Sequence, residues 1–522
     1  MSISATKNAL TGTRQEQARR PDWQTLLFWT AVVALFAIAI VMRLYHLGLP
    51  FDRDSYDEGV YWQSLRAMGA GHALYGDIFF SQPPFFLLST YPMYALFGAS
   101  LWSARLAIAV ISLLGLVGAL LMGKALSGRA GALAALLLAV VDPLFLAQSQ
   151  TIQAEASSVA FSFLAMGLAF YWWKYPSGRR GLLLAILTGV TVALSIMSKL
   201  LGVALLVPVG LMMAARLWWG VEDAHGERGQ RPYMSVIAGI VAFLLTMLVL
   251  TLPFFGSFQA MWSSVVTFHT SAGSLLSSDP QVGQASNTFK LETALATLLT
   301  LAALYGSVIA LLRRDWRVLP LLGWLLATAF LLWRQVPLFP HHFVSLTPPL
   351  IALAVMGIAE PSGCKRASGN ASPASMATIL TWIAVGLILF TAMLDVRSDL
   401  IYYNNATARG VDGLAQLEAR VATDLDRAIT PNQQVVTDAQ FIADLASRDT
   451  PPALVDTSMV RITTGSVTLA QLEALTAQPQ VHAVLFFTGR FGLPDVAAFH
   501  AWVAQRFHLL HSYGSGRELW VR

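Results

Sequence analysis

The sequence predicts an α-helical polytopic membrane protein: about eleven transmembrane helices, followed by a small C-terminal α/β domain outside the bilayer. Three observations carry this. Of 522 residues, 56% are hydrophobic and 12% charged, against roughly 25% charged in a soluble domain. Apolar runs recur near the ~20 residues that a helix needs to cross ~30 Å of hydrocarbon. Lys and Arg gather in alternate connections, which sets an orientation.

The chain is polar and basic up to Arg20 and then apolar over 26–42. That run is long for a signal-peptide core. It leads into Arg43 and not into a small-x-small cleavage site, so it reads as an uncleaved first span after a cytoplasmic segment 1–25. The predicted spans are 26–46, 102–125, 130–147, 152–173, 181–197, 199–216, 234–255, 292–312, 318–333, 343–359 and 377–395. With the N-terminus cytoplasmic, seventeen Lys and Arg fall on the inner side. Seven fall on the outer side before the C-terminal domain: Arg43, Arg53, Arg66, Arg105, Lys199, Lys290 and Arg334. This positive-inside bias accounts for the pI of about 9.3 without nucleic acid as a partner.

Parity then assigns the apolar stretch 84–97. It is short for a span, and counting it as one would invert every later connection against the charge bias. It reads as a half-helix or interfacial segment within a large outer loop, 47–101. A second outer loop runs over 256–291, and 361–376 reads as a flexible cytoplasmic linker. The transmembrane module is therefore 26–395. The mixed composition of 396–522 predicts an extracytoplasmic α/β domain, with strands at 433–438, 481–487 and 518–522 and helices at 414–429, 439–447, 469–477 and 495–507. A single Cys, Cys364, excludes an intramolecular disulfide and any cysteine-rich metal cluster.

Just beyond the first span stands Phe51-Asp52-Arg53-Asp54-Ser55-Tyr56-Asp57-Glu58-Gly59-Val60-Tyr61-Trp62. Ser55-x-x-Glu58 fits a capping box, so a helix is expected to start here, which gives Glu58 a structural reading. Asp57 falls in the first turn, where the helix dipole favours the ionised form. A carboxylate placed there suits a general base or a metal ligand, or is simply a solvated loop charge. The aromatics Tyr56, Tyr61, Trp62, Tyr75, Phe79, Phe80, Tyr91 and Tyr94 read as an interfacial belt or as stacking surfaces.

This segment, followed by Gln82-Pro83-Pro84-Phe85-Phe86 and Trp102-Ser103-Ala104-Arg105-Leu106, resembles the polytopic GT-C glycosyltransferases. The nearest branches are the protein O-mannosyltransferases and the lipid A aminoarabinose transferases, and the resemblance covers about residues 25–360. It implies a hexosyl- or pentosyltransferase of a cell membrane, the bacterial cytoplasmic membrane, with a polyprenyl-phosphate-sugar donor and an extracytoplasmic protein, lipid or glycan acceptor. Asp57 matches the family's catalytic loop acid and Glu58 the second acid of that pair. Glu155 matches a position where relatives usually carry Asp, and Arg105 and Lys199 match basic residues at outer helix ends. His341-His342-Phe343 resembles a stretch that usually opens with Arg-Tyr. Relatives often carry Lys before the Pro-Pro pair, where this chain has Gln82.

The implied reaction suits these groups. A departing phosphate needs positive charge and hydrogen-bond donors more than a general acid. Arg105, Lys199 and Arg334 all fall near outer helix ends and could converge there, or could snorkel to the interface. Lys199 and Glu155 adjoin apolar helices, where a charge is costly without a partner. His341 and His342 could donate to phosphate, ligate a metal or act as polar caps. No Cys/His metal spacing is present, although carboxylates could bind a divalent cation. In the C-terminal domain Thr437-Asp438 ends a predicted strand, where α/β folds often place ligands; without a partner motif it reads, with Arg461, Arg490 and Arg517, as structural, and the domain could help bind acceptor or cover the site. The rival readings are a transporter or flippase of lipid-linked or small solutes, and a membrane scaffold whose outer domain recruits partners. Against the transporter, the acids cluster at one face and no related halves are evident.

Overall fold

The computed structural model describes residues 23–51, 56–220, 232–358 and 376–522. Ser55 of the expected capping box, Cys364 and most of the 361–376 linker lie outside the described residues.

Apolar composition and backbone hydrogen-bonding need dictate the first part, since only helices satisfy a chain surrounded by lipid. Helix α1 (Trp23–Leu44) leads into two short helices, α2 (Tyr56–Gly69) and α3 (Phe85–Leu96), within the expected outer loop. Next come α4 (Leu101–Val141), α5 (Pro143–Ser149), α6 (Ala154–Lys174), α7 (Gly178–Ser198), α8 (Leu206–Trp219) and α9 (Tyr233–Thr251). Then follow α10 (Phe258–Trp262), α11 (Phe268–Leu276), α12 (Gln284–Leu295), α13 (Leu298–Leu312), α14 (Val318–Arg334), α15 (Thr347–Val355) and α16 (Met376–Arg409).

Helix α4 is a hairpin. Ser127 and Gly128 leave helical geometry, with Gly128 at φ 64°. The arms pack so closely that a side chain on Gly123 or Gly131 would strike the other's backbone. Among the described residues eight helices are long and apolar enough to cross a membrane, or nine if α12 and α13, bent by 76°, count as one span. That count takes the α4 hairpin as one helix and leaves out α14, which has 17 residues. Each of the eleven predicted segments falls on helix.

Two expectations differ. Residues 256–291 are mostly helical and not open loop: α9 passes through a 3-10 turn at Leu252–Ser257 and continues to Leu276. The Ser- and Thr-rich composition marks a helix leaving the apolar zone, not the end of helix. For the same reason α16 runs to Arg409, past the expected limit at 395.

The connections sort to opposite ends. Arg129 reaches Thr25, Arg317 reaches the Ala125 carbonyl and Arg216 the Trp173 carbonyl, tying the basic turns together. The other end carries α2, α3 and the C-terminal domain.

That domain starts with α17 (Gly413–Ala428) and contains β1 (Gln434–Thr437), α18 (Gln440–Leu445), α19 (Met459–Thr463), α20 (Leu469–Thr476), β2 (Val481–Phe486), α21 (Ala498–Ala504), β3 (His508–Gly514) and β4 (Arg517–Val521). Sheet order is β1-β2-β4-β3, with β1 and β2 parallel and the other pairs antiparallel. Separate cores cover its two faces, one holding Val435, Ile442 and Leu485 and the other Val436, Val484 and Phe499. The expected helix at 495–507 shortens to α21, and β3 is an addition. Its side chains are almost all exposed, so no apolar alternation marked it.

Candidate active site

The loop between α1 and α4 is held by one buried cation. Arg105, on α4, donates through Nε to Glu58 Oε1 (2.8 Å) and through Nη2 to Glu58 Oε2 (2.6 Å). Its Nη1 donates to the carbonyls of Leu47 (2.5 Å) and Leu49 (2.6 Å). The Ile152 amide also donates to Glu58 Oε1, at 2.9 Å. Both side chains are buried, and every hydrogen-bonding edge is used, as a buried pair requires. This fork fastens the first turn of α2 to α4 and to the start of α6.

With Glu58 turned inward, Asp57 faces the other way, into a cavity of about 960 Å³ between the helix ends and the C-terminal domain. Lys199, His341 and His342 line the same cavity, with Glu155 buried behind them. Lys199 sits where α7 breaks into a 3-10 turn, and its Nζ is 2.6 Å from Glu155 Oε1. His341 Nε2 lies 3.7 Å from Asp57 Oδ2 and 3.6 Å from Glu155 Oε1. His342 Nε2 lies 3.5 Å from Glu155 Oε1, while its Nδ1 accepts the Phe339 amide at 3.2 Å. Accepting at Nδ1 puts the proton of a neutral ring on Nε2, aimed at Glu155. Burial pushes the Asp57 carboxyl above its ordinary range, and His341 and Lys199 pull it back down.

Glu155, His341 and His342 offer ligand atoms within 4.8 Å of one another, a spacing that a divalent cation could use. The Lys199 ammonium already holds the same Glu155 oxygen. A divalent ion there would face a full positive charge across a few ångströms of partly desolvated space. In this arrangement Glu155 serves as the counter-ion of the Lys199 ammonium.

The C-terminal domain closes the cavity, and α2 is its footing. Gly59 lets the backbone of Gln440 and Phe441 come so near that a β-carbon would overlap it. Gln63 Nε2 donates to Asp444 Oδ1 and the Arg448 carbonyl, both at 2.9 Å, and its Oε1 accepts the Thr450 amide at 3.0 Å. Arg66 pairs with Asp449 at 2.6 Å. Burial raises the Asp444 carboxyl well above its ordinary range, with Arg66 opposing. The Tyr56 hydroxyl meets Thr457 Oγ1 at 2.9 Å. Trp62, Tyr75, Phe80 and Tyr94 are buried in the core beneath this interface, so they form neither a membrane belt nor a stacking platform, while Tyr61 of the same core also lines the cavity.

The structure thus gathers Asp57, Glu155, Lys199, His341 and His342 at one cavity. It does not bring Glu58 or Arg105 to that cavity, since each spends its charge on the other. Arg334 ends α14 exposed and outside the lining, because a cation at a helix end can turn to either side. The lining also includes His269, Asp456, Arg490 and Arg517. For the last three, which stand on the C-terminal domain, local sequence carries no signal, because the position of the domain on α2 decides which of its edges faces Asp57.

Residues 33–269 match the family model described as dolichyl-phosphate-mannose-protein mannosyltransferase. ArnT from Cupriavidus metallidurans in the apo state superposes with a TM-score of 0.58 at 15% identity, covering 95% of this chain and 97% of that one. ArnT bound to undecaprenyl phosphate gives 0.56 at 16% identity, over 95% and 98%. The apo oligosaccharyltransferase of Archaeoglobus fulgidus gives 0.51 at 13% identity, over 92% of this chain and 71% of that one. No curated protein matches the chain. Over nearly its whole length the chain thus shares its fold with ArnT and with the archaeal oligosaccharyltransferase. In sequence, the likeness to the mannosyltransferase family model is carried by residues 33–269.

Proposed function

We propose that the chain transfers a sugar from a polyprenyl-phosphate donor to an acceptor outside the cytoplasm, with inversion and with Asp57 as base. The observation that carries this is the placing of Asp57: on the wall of a large cavity at the helix ends, facing the Lys199–Glu155 pair and two imidazoles. A prenyl chain cannot leave the bilayer, so a reaction at its phosphate has to occur at such a place. The undecaprenyl phosphate bound by ArnT supports a lipid-linked donor.

In this reading an acceptor hydroxyl gives its proton to Asp57 as its oxygen attacks the anomeric carbon. The bond from that carbon to the phosphate oxygen breaks, and polyprenyl phosphate departs. Lys199 supplies positive charge, and the His341–His342 pair supplies hydrogen-bond donors, where the phosphate charge develops. Glu155 positions Lys199, and the Glu58–Arg105 fork positions Asp57 by fixing α2. No role falls to Arg334, and no step runs through a metal. The basic turns at the opposite end face the cytoplasm, which puts the cavity and the C-terminal domain outside.

Asp57→Asn tests the mechanism in protein reconstituted with donor lipid. Loss of the base should lower transfer by about 10²–10⁴-fold and leave the unfolding midpoint unchanged. A fully active Asp57→Asn enzyme overturns the assignment.

A further inference from the structure

One outer cation, Lys290, and one fully buried amide, Asn287, have no part in the transfer step, and both stand on α12. That helix leaves α13 at 76° and packs against α14. There it meets the segment that joins the end of α14 to His341. Residues 335–339 of this segment form neither helix nor strand. The last carbonyls of a helix have no donors within it, and Pro337 and Pro340 bring no N–H of their own. Carbonyls placed in this way need donors from side chains or water.

Helix α12 supplies the donors. Asn287 Nδ2 donates to the carbonyls of Trp333 (3.0 Å) and Gln335 (2.7 Å). Lys290 Nζ donates to the carbonyl of Leu338 at 3.2 Å and to that of Gln281, just before α12, at 3.4 Å. Asn287 Oδ1, buried with the rest of its side chain, has no hydrogen-bond partner among the described residues. A fold that leaves this acceptor unpaired is using the residue for its two N–H groups. The far end of the segment then sets the imidazoles. The Phe339 amide donates to His342 Nδ1 at 3.2 Å, and the Phe339 ring stacks on His341 with 5.7 Å between centroids. Neither Asn287 nor Lys290 lines the cavity, whereas Gln335, Val336, Pro337 and Phe339 do.

We propose that Asn287 and Lys290 are positioning residues for the imidazole pair: by holding the carbonyls of 333–338 they fix where Phe339 stands, and so how His341 and His342 face the cavity. The inference rests on the transfer reading above for what the imidazoles do, while the placing of the rings can be measured without it. The competing role for Lys290, a further cation on the departing phosphate, would need its ammonium on the cavity wall, and it stands behind the 335–339 segment instead.

Two measurements on the full chain in nanodiscs test this. The first is nitrogen NMR of histidine-labelled protein, with His342→Gln identifying the His342 signals. Wild type should show His342 as the Nε2–H tautomer that acceptance at Nδ1 dictates. Asn287→Ala and Lys290→Met should each move those signals toward a mixture of tautomers. Lys290→Met keeps the apolar stem of the side chain, so the fold around it is least disturbed, and Lys290→Arg, which still donates, should leave the signals in place. Unchanged His342 signals in Asn287→Ala or in Lys290→Met overturn the proposal. The second measurement is binding of undecaprenyl phosphate. Asn287→Ala and Lys290→Met should each weaken it about three- to tenfold in the native background. In a His341→Gln/His342→Gln background they should weaken it by less than about twofold, since residues that act through one another are not additive. Full additive losses there would mean that α12 reaches the ligand by another route, which also overturns the proposal. Native binding by His341→Gln/His342→Gln, or failure of wild type to bind undecaprenyl phosphate, would count against the transfer reading, while the NMR decides the positioning alone.

Discussion

Adjacent carboxylates at 57 and 58 reach opposite environments because a helix turns about 100° per residue. Glu58 points at α4 and finds Arg105; Asp57 points at the cavity and finds His341 and Lys199 across open space. The difference has a measurable consequence. Burial raises the Asp57 pKa, and the positive charge of His341 is the largest influence lowering it, followed by Lys199. A base works only when ionised, so activity should rise with pH through the Asp57 pKa. His341→Gln removes part of the opposing charge and lets that pKa climb further. The acidic limb of the kcat/KM profile should therefore move to higher pH in His341→Gln than in wild type. An acidic limb that stays put or moves down would show that another group is the titrating base.

At the scale of elements, α2 is the hinge of the whole arrangement, and much of it was legible in the sequence. The acids at its start, its place after the first span and the half-helix at 84–97 all announced themselves through charge, parity and length. Its far face did not. Gly59 looks like an ordinary helix-weakening glycine, and only the approach of α18 explains it. Lys199 and Glu155 were legible because ionisable groups at the ends of apolar helices need partners, whereas the histidine pair read as phosphate donors, metal ligands or polar caps. Arg490 and Arg517 were not, since a sheet edge says nothing about what it docks against. Gly59→Val puts branched carbons into the Phe441 backbone and should cost about 1–3 kcal/mol of overpacking strain. It should loosen the C-terminal domain while the α4 hairpin and the helices around it stay folded. Hydrogen exchange, comparing amides of α18 with those of α6, would register the difference; equal loss in both would mean that α2 supports the helical module as well.

Across the whole molecule, two bodies with different solvents meet at the cavity that holds Asp57. The helical module takes its shape from lipid and brings Asp57, Lys199 and the histidines to its end. The α/β domain takes its shape from water and brings the opposite wall. On that side their spacing is held chiefly through α2 and its polar clasp, Gln63 with Asp444, Arg448 and Thr450, and Arg66 with Asp449, with Tyr56 on Thr457 and Arg461 over the Phe79 ring beside them. Neither Gln63 nor Arg66 lines the cavity, so replacing them removes no group from its wall. Gln63→Ala/Arg66→Ala should let the domain shift, and a displacement of about 1 Å at a reacting centre can cost about 10²-fold in rate. The variant should therefore lose transfer activity while its affinity for undecaprenyl phosphate, held at the helix ends, stays near that of wild type. It should also become cleavable by trypsin after Arg409, where α16 gives way to α17. Full activity in a variant so cleaved would mean that the domain is carried by the enzyme without shaping its active site.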